Sequence, residues 1–465
     1  MNVPIRSAAE VRDELRTGGA TPVELVQAAL DRIDAVDPVL HAMAYVDRAG
    51  ALRAAEEAGE RWQSGAPKSA LDGFPVTIKD SVNAVGMPWR HGSKAHDDVP
   101  MATVDSPPAA RLKEAGAVIL GKTTMPDFGM LASGVSSLYG IVRNPWDTAM
   151  SPGGSSAGAA AGLAAGIGYA SVGTDIAGSV RLPAGHCGLV ALKPTQGRVP
   201  HIAPSTMRSA GPMARSVAEA IDLYRVITQP DPRDCWSLSP EEADLLDTPL
   251  SPRGLRVGLL LDLGYDHDLD PAVESVVRAA AEVLADAGAT VHELPPVFDH
   301  DPYPPLDRLF QTRAWAEYLG ISRERRPMVQ NAIVEWARAA GEFSAVDYAR
   351  DVDEVLSSAE TLRRATAAYD VVVSPVIPVA GFAAERVGVY EDQPLRHCRY
   401  TEWFNQSSQP AVALPFGFSG VLPIGVQLAG PRFGDQLLLR LASWLEGRRP
   451  AVMDWPDPVK EEERR

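Results

Sequence analysis

The apolar positions of this chain run first with helical spacing and then in short, strand-like bursts, and the change comes at Gly73. Before it, Ser7 with Glu10 and Thr21 with Glu24 each place a hydroxyl three positions ahead of a glutamate, the pattern of a capping box. The second is followed at once by Pro22, a favoured first helical residue. Two helices are therefore predicted, ending near Gly18 and before Pro38, with a third over 51–62, rich in alanine and glutamate. After Gly73, residues 74–80 read as a strand ending in a lysine. Ser106 opens a helix that runs to Ala115 and is stopped by Gly116, and 117–120 read as the next strand. Strand, helix and strand at this spacing predict an α/β architecture with parallel neighbours.

The later pattern alternates in the same way. Residues 125–139 form a polar, glycine-broken loop, 189–194 a strand, and 216–227 a helix. The run 228–253, rich in Pro, Asp and Ser, is the best internal boundary. A strand restarts at 255–260, a helix runs from Asp270-Pro271 to Gly288, and a strand follows at 290–294. Residues 304–368 read as mainly helical, 369–375, 411–415 and 425–428 as strands, and 435–445 as an amphipathic helix. No repeat of 20–50 residues stands out.

One stretch fits neither period. Residues 151–181, SPGGSSAGAAAGLAAGIGYASVGTDIAGSVR, hold few large side chains, so they bury little apolar area for each residue ordered. Small residues belong where backbones approach closely or φ must be positive. Gly158, Gly162 and Gly166 make a GxxxGxxxG pattern that can mark paired membrane helices. Leu163 and Ile167 are the only large aliphatics between Ser156 and Tyr169, too few for a span. A buried helix packed closely on a sheet is the better reading. On either side of it, Gly153-Gly154-Ser155-Ser156 and Ala177-Gly178-Ser179 read as turns that bring two hydroxyls and free backbone N–H groups into one pocket.

Composition narrows the class. The 465 residues are 45% hydrophobic and 22% charged, as in a globular protein. A formal net charge of −16 argues against nucleic-acid binding and against a polybasic hold on acidic lipids. The three cysteines, Cys187, Cys235 and Cys398, are far apart, which fits a reducing compartment. The first 16 residues are charged and lack an apolar core, so no secretory signal is expected and a cytoplasmic location is.

Three chemistries compete for the serine turns. Gly154-Ser155-Ser156-Ala157-Gly158 matches G-x-S-x-G, but that nucleophile elbow needs a preceding strand and a later acid and histidine. Loop precedes it here, and His292, His300 and His397 sit in no distinctive turn. A phosphate cradle fails because no lysine follows the glycines. The third reading is a serine nucleophile with a lysine base, which burial can make neutral. Lys79 is the candidate, although the residue taken alone also reads as a solvated strand end.

The ordered motifs resemble the amidase signature family. They are Lys79 after Pro75-Val76-Thr77-Ile78, Gly153-Gly154-Ser155-Ser156, and Thr174-Asp175-Ile176-Ala177-Gly178-Ser179-Val180-Arg181. Supporting blocks follow in order at 121–126, 144–146, 188–195, 409–411 and 422–430, so the likeness covers roughly 21–445. It implies one amidase domain with a large mixed sheet flanked by helices on both sides. Within 1–465, residues 1–70 would be a helical segment at a dimer interface, about 71–215 the signature core, and about 255–445 the variable substrate-pocket half. It implies a Ser–cisSer–Lys triad of Ser179 (nucleophile), Ser155 (relay) and Lys79 (base), with a cis Gly154–Ser155 bond. The N–H groups around Ile176, Ala177, Gly178 and Ser179 would form an oxyanion hole. Gly129 and Met130 would face the acyl pocket. Ser156, Asp175 and Arg181 would stand behind the triad, the last two as a buried pair bracing the loop.

Ala157 and Ala177 stand where the family usually has glycine, and the methyl of Ala177 is expected to narrow the approach to the oxyanion donors. Cys187 reads as a buried, inert thiol. Neither His91 with His96 nor His267 between Asp266 and Asp268 has metal-ligand spacing, so no metal and no cofactor are expected. The implied activity is hydrolysis of a linear amide, leaning alkaline, on a small-molecule substrate, by a homodimer that binds neither nucleic acid nor membrane. The alternatives are the A-type chain of a tRNA-dependent amidotransferase complex and a hydrolase of urea derivatives such as allophanate or biuret.

Overall fold

The computed structural model describes residues 6–202, 205, 207–241, 246–450 and 453–459. Both opening helices begin as the capping boxes predict, over Ala8–Thr17 and Pro22–Leu40. The first stops at Gly18 in the left-handed conformation. The second runs past Pro38, which falls in its last turn, and ends only at left-handed His41. Pro38 has no N–H to give the carbonyl four residues back, and the helix ends within three residues of it.

The strands, in chain order, are β1 (Met43–Val46), β2 (Pro75–Lys79), β3 (Val118–Thr123), β4 (Val135–Ser136), β5 (Gly140–Ile141), β6 (Ala170–Asp175), β7 (Val190–Lys193), β8 (Ser209–Ala214), β9 (Arg256–Leu259), β10 (Thr290–Glu293), β11 (Val371–Pro375), β12 (Ala411–Ser419) and β13 (Leu422–Ala429). β4 and β5 pair with each other; the other 11 form one sheet in the order β1-β3-β2-β6-β8-β7-β12-β13-β11-β9-β10. The sheet is mixed. β2 runs parallel to both β3 and β6, and β9 parallel to β10 and β11, while the strands between the two groups are antiparallel.

Alternation along the strands assigns the two faces. Val190 and Leu192 of β7 and Val412 and Leu414 of β12 turn to one apolar layer, which includes Leu112, Leu223, Val277 and Leu438 from flanking helices. Ala191, Ala411 and Ala413 turn to the opposite layer, with Leu182, Leu306 and Phe404. Helices thus cover both faces, as a sheet containing parallel strands requires.

The small-residue helix is Ala157–Ala164, buried along its whole length. A Cβ on Gly158 would stand 2.2 Å from the carbonyl oxygen of Ala42, so the close approach to neighbouring backbone needs glycine there. No helix among the described residues is long and apolar enough to cross a membrane.

Candidate active site

Lys79 closes β2, which lies between β3 and β6 inside the sheet, and its side chain is 0% exposed. Its Nζ stands 2.8 Å from Ser155 Oγ and donates to the carbonyl oxygen of Thr174 at 3.3 Å. Burial pulls its pKa down to about 7, with Asp175 opposing the shift and Arg208 adding to it. Near neutrality the amine is therefore partly uncharged, and at 2.8 Å it can take a proton from the serine hydroxyl.

Ser155 follows a cis peptide bond from Gly154. The turn admits no side chain before it, since a Cβ on Gly154 would stand 2.3 Å from the carbonyl oxygen of Ser133. Ser179 lies in the tight turn after β6. The two turns are tied by a bond from the Ser156 N–H to the carbonyl oxygen of Ser179 at 3.1 Å. Ser156 Oγ donates back to the Thr174 carbonyl at 3.4 Å.

Asp175 and Arg181, both fully buried, form a two-pronged pair at 3.0 Å on each prong. Arg181 also donates to Gln427, Asn405 and the Thr401 carbonyl. Burial alone would raise the Asp175 carboxyl. The charge and hydrogen bonds of Arg181, with a bond from Asn405, outweigh it and hold the group at about 2. The ionised carboxylate takes the N–H of Gly178 at 2.7 Å and of Val180 at 3.2 Å. The Gly178 N–H, expected from the sequence to face an oxyanion, is thus directed at Asp175.

A narrow cavity opens beside the two serines. Ser155, Ser179, Ile176, Gly129 and Met130 line it, as the sequence anticipates, together with Ser81, His91, Met125, Phe128, Thr174, Arg208 and Arg313. Ala177 and Gly178 do not. Ala177 packs into the apolar layer with Val180 and Leu182, while its carbonyl accepts from Thr401 Oγ1 at 2.5 Å. Its methyl therefore narrows no approach, contrary to expectation, because the turn directs it inward. The loop carrying Gly129 and Met130 is held by the buried Asp127 carboxylate, which accepts from Ser137 and, across the chain, from the N–H of Gln330 at 2.6 Å.

Of the remaining candidates, only His91 reaches the cavity. Cys187 is buried and its thiol is pushed up by that burial. His91 stacks on Trp89 and places Nδ1 3.3 Å from Glu317. His267 is exposed, 3.4 Å from Asp262. Among the described residues no cluster of His, Cys, Asp and Glu has the makings of a metal site. Sequence reasoning missed the cavity roles of Ser81, Thr174, Arg208 and Arg313. It also missed the brace of Thr401, Asn405 and Gln427, which reach Asp175 and Arg181 from the far end of the chain.

Comparisons with known proteins identify the family and the fold. The Amidase family model matches residues 24–439. The chain is 33% identical to the A chain of glutamyl-tRNA(Gln) amidotransferase from Acidothermus cellulolyticus, with 98% of each chain covered. Among solved structures it is similar to a bacterial aryl acylamidase of the amidase signature enzymes (TM-score 0.89, 25% identity, 98% of each chain). It is likewise similar to 6-aminohexanoate cyclic dimer hydrolase (TM-score 0.88, 28% identity, 98% of this chain and 99% of that one). The mixed sheet flanked by helices is the fold of the amidase signature enzymes. This chain belongs to the amidase signature family.

Proposed function

We propose that the chain hydrolyses a linear carboxamide through an acyl-enzyme on Ser179. The observation that carries this reading is the buried Lys79 amine 2.8 Å from Ser155 Oγ, with Ser155 and Ser179 lining one cavity. Neutral Lys79 takes the Ser155 proton as Ser155 takes that of Ser179, and Ser179 Oγ adds to the amide carbonyl. The N–H groups of Ile176 and Ser179, both lining the cavity, are the candidates to meet the developing oxyanion, the Gly178 N–H being held by Asp175 and Ala177 lying off the cavity. The proton returns through Ser155 to the leaving nitrogen as the C–N bond breaks. Water then adds by the same path and releases the acid, so that amide and water become acid and amine or ammonia.

The test is a panel of primary aliphatic, aromatic and amino-acid amides, with Ser179→Ala as the blank, and a search by mass for an acyl adduct on Ser179. Turnover undiminished in Ser179→Ala would end the proposal. A second reading is favoured by the curated relatives, which are A chains of glutamyl-tRNA(Gln) amidotransferases. On that reading the chain works inside a complex with partner chains. Hydrolysis of simple amides by the purified chain alone supports the first reading, and activity only with added partner chains supports the second.

A further inference from the structure

One side chain of the cavity wall, His91, takes no part in the acyl transfer, yet the fold holds it there against backbone preference. Its φ is 51°, in the left-handed region that few residues other than glycine adopt. Such a conformation persists only where the surroundings over-determine it, and it clusters at ligand-contacting sites. The surroundings do so here. The N–H groups of Arg90 and Gly92, on either side, both go to the Asp80 carboxylate, at 3.3 and 2.8 Å. The His91 carbonyl accepts the N–H of Phe128 at 2.9 Å. The ring stacks on Trp89 with centroids 4.9 Å apart and leans on Phe128. Its Nδ1 stands 3.3 Å from a carboxylate oxygen of Glu317, in the helix Tyr303–Gly320, close but off the line of a hydrogen bond. Burial would raise the Glu317 carboxyl, but His91 and the charges of Arg313 and Arg208 outweigh it and hold the group below its ordinary value. An ionised carboxylate draws the imidazole proton to the nitrogen that faces it. In the neutral ring Nε2, on the opposite edge, is then an acceptor.

That acceptor has few rivals in the wall. Arg208 and Arg313 only donate, and Met125, Phe128, Met130 and Ile176 are apolar. The hydroxyls of Ser81 and Thr174 pair with each other at 3.2 Å, and those of Ser155 and Ser179 serve the proton path. We propose that His91 contacts the substrate, its Nε2 accepting a hydrogen bond from a neutral donor, a hydroxyl or an amide N–H, a few atoms from the scissile carbonyl. Glu317 is the positioning residue that keeps the ring proton on Nδ1. The proposal rests on the hydrolase reading above and narrows its substrate class.

The experiment uses pairs of amides that differ only in the donor. Lactamide, 3-hydroxypropanamide and 4-hydroxybutanamide are each compared with the O-methyl ether, and N-acetylglycinamide with N-acetylsarcosinamide. In at least one pair the donor-bearing amide should show about a tenfold or greater advantage in kcat/KM, and which pair responds identifies the donor. Asparagine tolerates the left-handed conformation, so His91→Asn is the variant of choice. It should bring that ratio to within about twofold of unity, mainly through KM. Glu317→Gln, whose amide can face Nδ1 as donor or acceptor, should lower the ratio part of the way. A binding arm needs no turnover. By calorimetry on Ser179→Ala, the favoured amide should bind about tenfold more tightly than its methylated partner. The Ser179→Ala, His91→Asn double variant should not tell them apart. Ratios within about twofold of unity for every pair in the parent, or a ratio that His91→Asn leaves unmoved, overturn the proposal. If cleavage then still requires Ser179, the hydrolase reading survives alone. If no amide is cleaved but binding depends on the donor and on His91, the contact stands and the hydrolase reading falls. Neither cleavage nor donor-dependent binding ends both.

Discussion

An alkylammonium in water keeps its proton to about pH 10.4, so a lysine acts as a base near neutrality only where water is kept away. Lys79 meets that condition, with burial taking it to about 7. A depressed lysine favours the neutral form above its pKa, so on the proposed mechanism kcat/KM should rise with pH through about 7 and level off by about 8. A rate falling steadily from about pH 6 to 9 would contradict the assignment. Burial also brings Lys193 to about 7 and Lys122 to about 8, so the inflection needs a second criterion. Lys193 Nζ donates to the Pro194 carbonyl and takes no part in the cavity wall. Lys193→Met should keep the inflection, whereas Lys79→Ala should remove it and cost about 10²–10⁴ in rate. Groups that act as one relay are not additive. The Lys79→Ala, Ser155→Ala double variant should therefore be no slower than the worse single, measured by initial rates on one amide.

At the scale of elements, the turn that carries Ser179 is held by a buried ion pair between its two ends. Asp175 at the end of β6 and Arg181 at the start of the helix Arg181–Cys187 bind each other and reach Thr401, Asn405 and Gln427. Removing one partner of such a pair strands the other charge, which costs about 3–5 kcal/mol. Arg181→Met should lower unfolding stability by that order in denaturant titration. The Asp175 carboxyl is depressed when folded, to about 2, so its stabilisation is present above the ordinary carboxylate range and fades as pH falls through about 2. Asp175→Asn should flatten that part of the acid-unfolding curve. A variant as acid-sensitive as the parent there would show that other groups set the acid limit.

Much of this was legible in advance. Capping boxes and strand–helix–strand spacing located the first helices and β2 and β3, because those signals are local. β6 and β8 escaped notice. Their sequences, ASVGTD and SAGPMA, hold few of the branched residues that mark strands, and Pro212 normally argues against an inner strand. β8 nonetheless pairs with β6 and β7, and its Gly211 would place a Cβ 2.1 Å from the Leu192 carbonyl oxygen. Close packing around a backbone-rich site chose those residues over propensity. The serines and Lys79 were readable from ordered motifs. Arg208 and Arg313 were not, because only the tertiary fold brings them to one cavity.

Across the whole molecule, the run 228–253 separates two halves in sequence but not in structure. β7 of the first half pairs with β12 of the second, Ala411 opposite Lys193 and Val412 opposite Leu192. One apolar layer joins Val76 and Ile78 to Val257, Val373 and Leu428. Residues 1–249 alone would leave β7 paired with β8 on one side only, its other edge open and both faces apolar, a template for aggregation. They would also lack Thr401, Asn405 and Gln427, so the Asp175–Arg181 pair would lose its outer partners. The first half expressed alone should therefore be insoluble or unfold without a cooperative transition. Co-expression with 250–465 should return a copurifying pair of fragments with amide-hydrolysing activity, and the intact chain should melt in one calorimetric step. A soluble 1–249 fragment with its own sharp transition would mean that the serine-bearing half folds independently. The sheet argues against it, because β7 finds its second neighbour, and the apolar layers on both faces find their remaining strands and helices, only after residue 250.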